Sequence, residues 1–295
     1  MSKPRTRQSS AAPKALILGG VTGLLGQSLT NALAGRGWQV ETLSRTDGCL
    51  TDIAFLTQRL ARSAADVVFN AVAWTRVDDA EDHPEQARLL NCTLPDALAR
   101  ILKSIGQGHL VHFSTDFVFS GQGRTPWREE DTPKPASVYG RTKLAGERAV
   151  LQILPDRSCV LRTAWLFGPG RKNFVETILN KSRIMDAVQV VFDQTGSPTY
   201  TLDLARWSAA LAEKRAVGIW HAVNSGRANW AELAAEVVAL AGSRCQVIPI
   251  PSGQWPQKAT RPAWSVLDVT KLSNALGQPP RPWPQALREY VYSNF

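Results

Sequence analysis

A short apolar strand, Lys14–Leu18, runs directly into Gly19-Gly20-Val21-Thr22-Gly23-Leu24-Leu25-Gly26, after which Leu25, Leu29 and Leu33 recur on one helical face. Further extended runs are predicted over residues 38–43, 66–70, 109–113 and 159–167, and over Gly218–His221. Residues 78–100 read as mostly helical, with a break before Pro95, because the residue preceding a proline disfavours the helical region. Helices are also predicted over 202–214, over Trp230–Leu240 with Asn229 as a candidate cap, and over 285–292 beyond the proline-rich stretch 279–284. Residues 247–251 read as a short extended piece, and 249–262, rich in Pro, Gln and Trp, as a loop over a binding site.

Strand and helix alternate up to about residue 160, which predicts an α/β fold: a doubly wound parallel sheet of Rossmann type with a smaller mixed α/β lobe. The expected organisation is a disordered tail at 1–13 and a dinucleotide-binding domain at 14–168 with a returning segment at about 200–222. Residues 169–295 then form mainly a substrate-binding lobe.

The glycine-rich turn between strand and helix is the candidate phosphate cradle, formed by Gly20, Thr22, Gly23, Leu24, Leu25 and Gly26. Gly20 is expected to permit the tight turn, Gly23 to let backbone amides approach a pyrophosphate, and Gly26 to let the helix pack closely on the strand. The phosphates then meet the positive end of the helix. An acid near the end of the second strand would hold ribose hydroxyls, whereas Ser44-Arg45 there suits a ribose phosphate, so NADP(H) is preferred and NAD(H) remains open. Asn70-Ala71-x-Ala73 follows the third strand, and its small residues allow a flat cofactor to lie against the backbone.

Ser137-Val138-Tyr139-Gly140-Arg141-Thr142-Lys143 places a phenol and an ammonium one helical turn apart on the same face. A nearby ammonium, together with an oxidised nicotinamide, is expected to lower the phenol pKa and make Tyr139 a usable proton donor. The hydroxyl of Thr115, with Ser114 as the alternative, ends the strand that begins at His109, where the crevice of such sheets lies. Thr115, Tyr139 and Lys143 would then converge on one carbonyl.

Composition narrows the partners. Apolar residues make up 44% of the 295, which is globular. The formal charge of +9 calls for an anionic partner, but the basic residues form no run or RNA-binding signature, so a nucleotide cofactor and an anionic substrate are expected and nucleic acid is not. Four separated cysteines and four dispersed histidines predict no disulfide and no metal site. No apolar run reaches membrane-span length and residues 1–13 lack a secretory hydrophobic core, so a cytoplasmic protein without membrane contact is expected.

Gly20-x-x-Gly23-x-x-Gly26, Asn70-Ala71-x-Ala73, Ser114-Thr115-Asp116-x-Val118-Phe119 and Tyr139-Gly140-x-Thr142-Lys143-x-x-Gly146-Glu147 together resemble the extended short-chain dehydrogenase/reductase family. Arg162-Thr163-Ala164-Trp165-Leu166-Phe167-Gly168, Asn173-Phe174, Asp193-Gln194-x-Gly196-x-Pro198-Thr199 and Arg261-Pro262-x-x-Ser265-x-Leu267 extend the likeness into its dTDP-4-dehydrorhamnose reductase branch. The resemblance implies reduction of the 4-keto group of a nucleoside-diphosphate 6-deoxyhexulose, dTDP-linked, in nucleotide-sugar and polysaccharide biosynthesis. Tyr139 would protonate the keto oxygen, Lys143 would bind the nicotinamide ribose, and Thr115 would hydrogen-bond the carbonyl. It further implies Asp116, Trp165, Asn173, Asp193, Gln194, Thr199 and Arg261 as substrate contacts, and leaves a homodimer open. Trp74 stands where the branch usually has histidine or tyrosine, and Cys49 where an adenine-side acid is expected, which leaves the exact sugar open. The alternatives are a reductase of another NDP-4-keto sugar, or a non-catalytic NADP-binding regulatory subunit of the kind represented by the beta subunit of methionine adenosyltransferase.

Overall fold

A computed structural model describes residues 12–295, so the expected tail lies almost wholly outside the described residues. The first half of the main sheet is built by β1 (Lys14–Leu18), α1 (Leu24–Ala34), β2 (Gln39–Leu43), α2 (Ile53–Ser63) and β3 (Val67–Asn70). The chain then passes through α3 (Val77–Asp82), α4 (Pro84–Arg88), a π-helical turn (Leu89–Thr93) and α5 (Leu94–Ile105) to reach β4 (His109–Thr115). After a long loop come α6 (Val138–Ile153) and β5 (Ser158–Thr163).

The smaller lobe begins with β6 (Leu166–Phe167), α7 (Phe174–Ser182), β7 (Ala187–Val191), β8 (Thr195–Gly196) and β9 (Thr199–Tyr200). The chain returns to the large lobe through α8 (Thr201–Glu213) and β10 (Gly218–His221). It closes with β11 (Ala228–Asn229), α9 (Trp230–Leu240), β12 (Gln246–Ile250), α10 (Thr270–Leu276) and α11 (Trp283–Asn294).

Six parallel strands in the order β10-β5-β4-β3-β1-β2 form the central sheet. Parallel strands with helices on both faces are apolar on both sides, and β4 is buried along all of its length. One face packs Ile17, Phe69 and Val111 against Leu29 and Leu33 of α1 and Leu204 of α8, and the other packs Leu16, Val68 and Leu110 against Leu56, Leu98 and Leu102. Each such side chain contributes roughly 1.5–3 kcal/mol by leaving water. The smaller lobe has its own core around Phe167, Tyr200, Leu233 and Tyr290.

Local chemistry explains most element ends. Asn229 accepts from the Glu232 N–H at 2.8 Å while the Glu232 carboxylate accepts from the Asn229 N–H at 2.8 Å, a reciprocal cap for α9. Three expectations change. The break in 78–100 falls at His83, whose φ of −128° ends α3, and Pro95 is instead taken into the first turn of α5 behind the wide π turn. The apolar run 159–167 splits at Trp165, where φ is +47°: β5 stays in the main sheet, and β6 pairs with β9 in the smaller lobe. The last helix starts at Trp283, because Pro284 in its first turn costs no hydrogen bond.

Arg162 on β5 and Glu147 on α6 are each 1% exposed and form a forked pair, with Nε donating to Oε1 at 3.0 Å and Nη2 to Oε2 at 2.8 Å. Breaking a buried pair strands a charge, whereas replacing both partners by apolar side chains is often neutral. Arg162→Met alone is expected to lower the unfolding free energy by about 3–5 kcal/mol. The double variant with Glu147→Leu should recover most of that loss in urea titrations.

Candidate active site

The carboxyl end of β4 and the first turns of α6 form the centre of the site. Ser137 caps α6 by accepting from the Gly140 N–H at 3.1 Å, and Glu81 of α3 accepts from the Val138 N–H at 2.7 Å. With its first turn held from two sides, α6 presents Tyr139, half-buried, edge-on to the Phe117 ring at 5.5 Å. The Thr115 hydroxyl donates to Asp116 Oδ1 at 3.0 Å and accepts from the Phe117 N–H at 3.2 Å. Thr115 closes β4 and Tyr139 stands in the first turn of α6, at the same end of the sheet, while the buried Ser114 hydroxyl has no hydrogen-bond partner.

The expected lowering of the Tyr139 pKa is not found: burial pushes the phenol up to about 12, only partly opposed by Thr115, and the Asp116 charge raises it further. Lys143 is 2% exposed and its Nζ donates to the Phe113 carbonyl at 2.5 Å, so its charge is directed at a strand carbonyl. Burial lowers the Lys143 ammonium to about 8 against the opposing charge of Glu147, and burial raises Asp116 to about 6.

The nucleotide end differs in detail from the sequence reading. Gly19, at φ +83°, makes the tight turn assigned to Gly20; a side chain on Gly20 would meet Thr42 Cγ2 at 2.6 Å. A Cβ on Gly26 would stand 2.1 Å from the Gly19 carbonyl oxygen, which is the close helix-strand approach expected of it. Gly23 precedes α1 without any side-chain cap, so the 11-residue helix offers free first-turn N–H groups beside Thr22, Leu24 and Leu25, although the Leu25 side chain itself is core. Ala71 packs against Gly19 and Ala73 is half-buried. Asn70 spends its amide on the Val72 N–H and His112 Nδ1, both at 3.2 Å, and so shapes this wall from behind. Ser44 is engaged by Asp47, while Arg45 is exposed and makes no ion pair among the described residues. An uncapped helix terminus, a glycine turn and a free guanidinium at the next strand end together fit a phosphorylated dinucleotide.

On the smaller lobe, a cavity of about 240 Å³ is lined by Phe174, Gln194, Trp230, Trp255, Gln257 and Arg261. Trp165 stacks on Trp230 with ring centres 3.5 Å apart and planes 3° from parallel, forming a wall beside it. Gln194 reaches Gln257 at 3.4 Å inside this cavity. Four other expected substrate contacts are engaged by the protein itself. Asn173 caps α7 through the Glu176 N–H and donates to the Gly168 carbonyl and the Tyr290 hydroxyl. Thr199 is fully buried and donates to the Ser197 carbonyl. Asp193 binds the backbone and hydroxyl of Ser252. Arg261 grips Asp78 of α3 with two bonds, at 2.9 and 2.6 Å, and that guanidinium holds the Asp78 carboxyl at about 2.

Sequence reasoning missed three supporting residues. Asn91, in the π turn, accepts from the Trp74 N–H at 2.8 Å and donates to Thr142 of α6 at 3.1 Å. Glu81 holds the head of α6, and Asp78 ties the 252–262 loop through Arg261 and the N–H groups of Lys258 and Ala259. The acid run Val77-Asp78-Asp79-Ala80-Glu81-Asp82 was the available signal. Among the described residues no cluster of His, Cys, Asp or Glu could hold a metal, all four cysteines are free, and no helix is long and apolar enough to cross a membrane.

Asp78→Asn is expected to raise deuterium uptake in residues 252–262 several-fold while costing at most about 1 kcal/mol of global stability, since the pair is partly exposed. Unchanged uptake there would show that the loop is held by other contacts.

Residues 14–294 match the RmlD substrate binding domain family. The dTDP-4-dehydrorhamnose reductase of Streptomyces griseus is 42% identical over 276 residues, covering 92% of this chain and 90% of that protein. The dTDP-4-keto-6-deoxy-D-glucose reductase of Streptomyces niveus is 36% identical, covering 92% and 94%. The crystal structure of dTDP-4-dehydrorhamnose reductase from Bacillus anthracis in complex with NADP superposes with a TM-score of 0.91 at 27% identity, covering 96% of this chain and 100% of that one. A glycine turn on an uncapped helix, a Thr-Tyr-Lys centre at the end of the fourth strand and a match from end to end of the described fold agree: this chain belongs to the RmlD substrate-binding domain family of extended short-chain dehydrogenases/reductases.

Proposed function

We propose that the chain is an NADPH-dependent reductase of the 4-keto group of a dTDP-linked 6-deoxyhexulose, converting dTDP-4-dehydro-L-rhamnose to dTDP-L-rhamnose. What supports this reading is the half-buried phenol of Tyr139 in the first turn of α6, with Lys143 one turn further along and bonded to the Phe113 carbonyl of β4; burial raises the phenol pKa to about 12. A phenol held that high keeps its proton throughout the neutral range, which is the state a reduction requires of its acid.

NADPH, when bound, supplies the hydride. The turn at Thr22 to Gly26 and the head of α1 would hold its pyrophosphate, Arg45 its ribose phosphate, and the Asn70 to Ala73 segment one face. Lys143 gives one of its three protons to Phe113 and keeps two for a ribose. Tyr139 directs its proton to the keto oxygen, where negative charge develops as the carbonyl carbon is attacked, and Thr115 reaches the same oxygen only by turning its one proton away from Asp116. The cavity bounded by Trp230, Gln194 and Arg261, with Trp165 behind it, would take the sugar nucleotide. A cytoplasmic setting agrees with four free thiols.

The direct test is NADPH oxidation with dTDP-4-dehydrorhamnose, run beside dTDP-4-keto-6-deoxyglucose. Faster turnover of the first supports the assignment, preference for the second reassigns the sugar, and tight NADPH binding without turnover on either supports a regulatory subunit. Tyr139→Phe should retain cofactor affinity and lose about 10²- to 10⁴-fold in kcat, because it removes a general acid acting in the transition state. Arg45→Ala should weaken NADPH binding by about tenfold or more and NADH by under about threefold. Equal losses would show that Arg45 does not read the phosphate.

A further inference from the structure

Gly168-Pro169-Gly170-Arg171-Lys172 joins β6 to α7 and lies across the starts of α1 and α8. These two helices run side by side in the same direction: the Ser28 hydroxyl donates to Thr201 at 2.8 Å near their starts, and Arg36 pairs with Glu213 at 2.6 Å at their far ends. A side chain on Gly168 would run into the Thr201 hydroxyl of α8, and one on Gly170, whose φ is +95°, into the Gln27 amide of α1. The Asn173 amide closes the loop on itself by donating to the Gly168 carbonyl at 2.9 Å and the Arg171 carbonyl at 3.2 Å. Gln27 lies in the first turn of α1, so the backbone leading into Arg171 and Lys172 is docked about one helical turn from the free N–H groups at its start.

Both cations are exposed, and among the described residues neither forms an ion pair or a side-chain hydrogen bond. Glu176, the nearest acid along the chain, pairs with neither. Helix starts carry partial positive charge, so the fold concentrates positive ends where it also leaves two like charges unmet, an arrangement that an anion relieves. At the other end of the loop α7 begins, and its Phe174, Thr177 and Ile178 line the cavity that includes Gln194, Trp230 and Arg261. The loop therefore links the turn before α1 to that cavity, the two places where the reductase reading puts a diphosphate-bearing ligand.

We propose that Arg171 and Lys172 bind the diphosphate bridge of a nucleotide ligand, closing from the smaller lobe a site that the head of α1 opens from the larger; the inference rests on the reductase reading above. A guanidinium fork meets two phosphate oxygens at once, and the ammonium on its flexible stem adds a mobile point charge, so an adjacent Arg-Lys pair suits two linked phosphates better than one. The Asn173 amide, engaged by the protein itself, holds the loop that carries the pair. Two ligands have such a bridge, the dinucleotide cofactor and the sugar nucleotide, and binding measurements separate them.

Affinity for NADPH, read from its fluorescence, and for dTDP, read by calorimetry, is compared at low salt between the parent and the double variant Arg171→Ala/Lys172→Ala. The double variant should bind at least one of the two about tenfold or more weakly, while adenosine 2′-phosphate and dTMP, which lack a diphosphate, weaken by under about threefold. A loss confined to NADPH assigns the pair to the cofactor, and one confined to dTDP assigns it to the sugar nucleotide. The control Arg62→Ala/Lys103→Ala removes the same formal charge from exposed positions of α2 and α5, on the sheet face opposite α1 and α8, and should bind both ligands like the parent. A double variant that binds NADPH and dTDP as tightly as the parent, that loses no more than this control, or that loses the monophosphates equally overturns the proposal. A parent that binds neither NADPH nor dTDP overturns the reductase reading and takes this inference with it, which separates the two failures.

Discussion

A buried ammonium must be met by dipoles or by an opposite charge, and the way Lys143 is met organises the centre of this molecule. Its Nζ rests on the Phe113 carbonyl, which ties α6 to β4, and the Glu147 carboxylate one turn further along α6 supports its charge. Glu147 is in turn held by Arg162 from β5, itself stacked over the Phe119 ring at 5.1 Å. Two neighbouring strands and the helix that crosses them are thereby fixed in mutual register by charge, in a place where water could not compensate an error. The first turn of α6, with Tyr139, and the end of β4, with Thr115, inherit their relative placement from that arrangement.

Much of this was legible in the residues because it rests on local chemistry. The strand-glycine-helix opening, the apolar run of β4, the Tyr139-to-Lys143 spacing and the Asn229 cap follow from periodicity and short-range hydrogen bonding. What escaped the sequence depends on partners far along the chain. Nothing near Arg261 announces that Asp78 will take both of its donors, and nothing near Asn173 reveals that Tyr290 and the Gly168 carbonyl will use up its amide. The spacing of Tyr139 and Lys143 says nothing of their environment: the Lys143 Nζ goes to the Phe113 carbonyl, and burial is the largest influence on the phenol pKa. Assigning the tight turn to Gly20 shifted by one residue because two adjacent glycines divide turning and packing between them.

The acid-rich helix α3 connects parts that a motif-by-motif reading treats separately. Glu81 holds the head of α6, while Asp78 holds the loop bordering the cavity lined by Gln194, Trp230 and Arg261. Loop and helix therefore share one six-residue support, so a displacement of the loop reaches Tyr139 through a single short element.

Trp165 occupies a left-handed backbone conformation at the point where the polypeptide departs the main sheet, and its indole forms a flat plate against Trp230. Such a backbone is strained for a bulky residue and persists only because the surroundings insist on it, at roughly 1–3 kcal/mol. Glycine would relax the elbow but remove the plate, and another aromatic would keep the plate along with the strain. Architecture and cavity wall are thus invested in the same residue, which makes this corner resistant to gradual redesign: reshaping the wall here without loosening the joint between lobes requires compensating changes elsewhere.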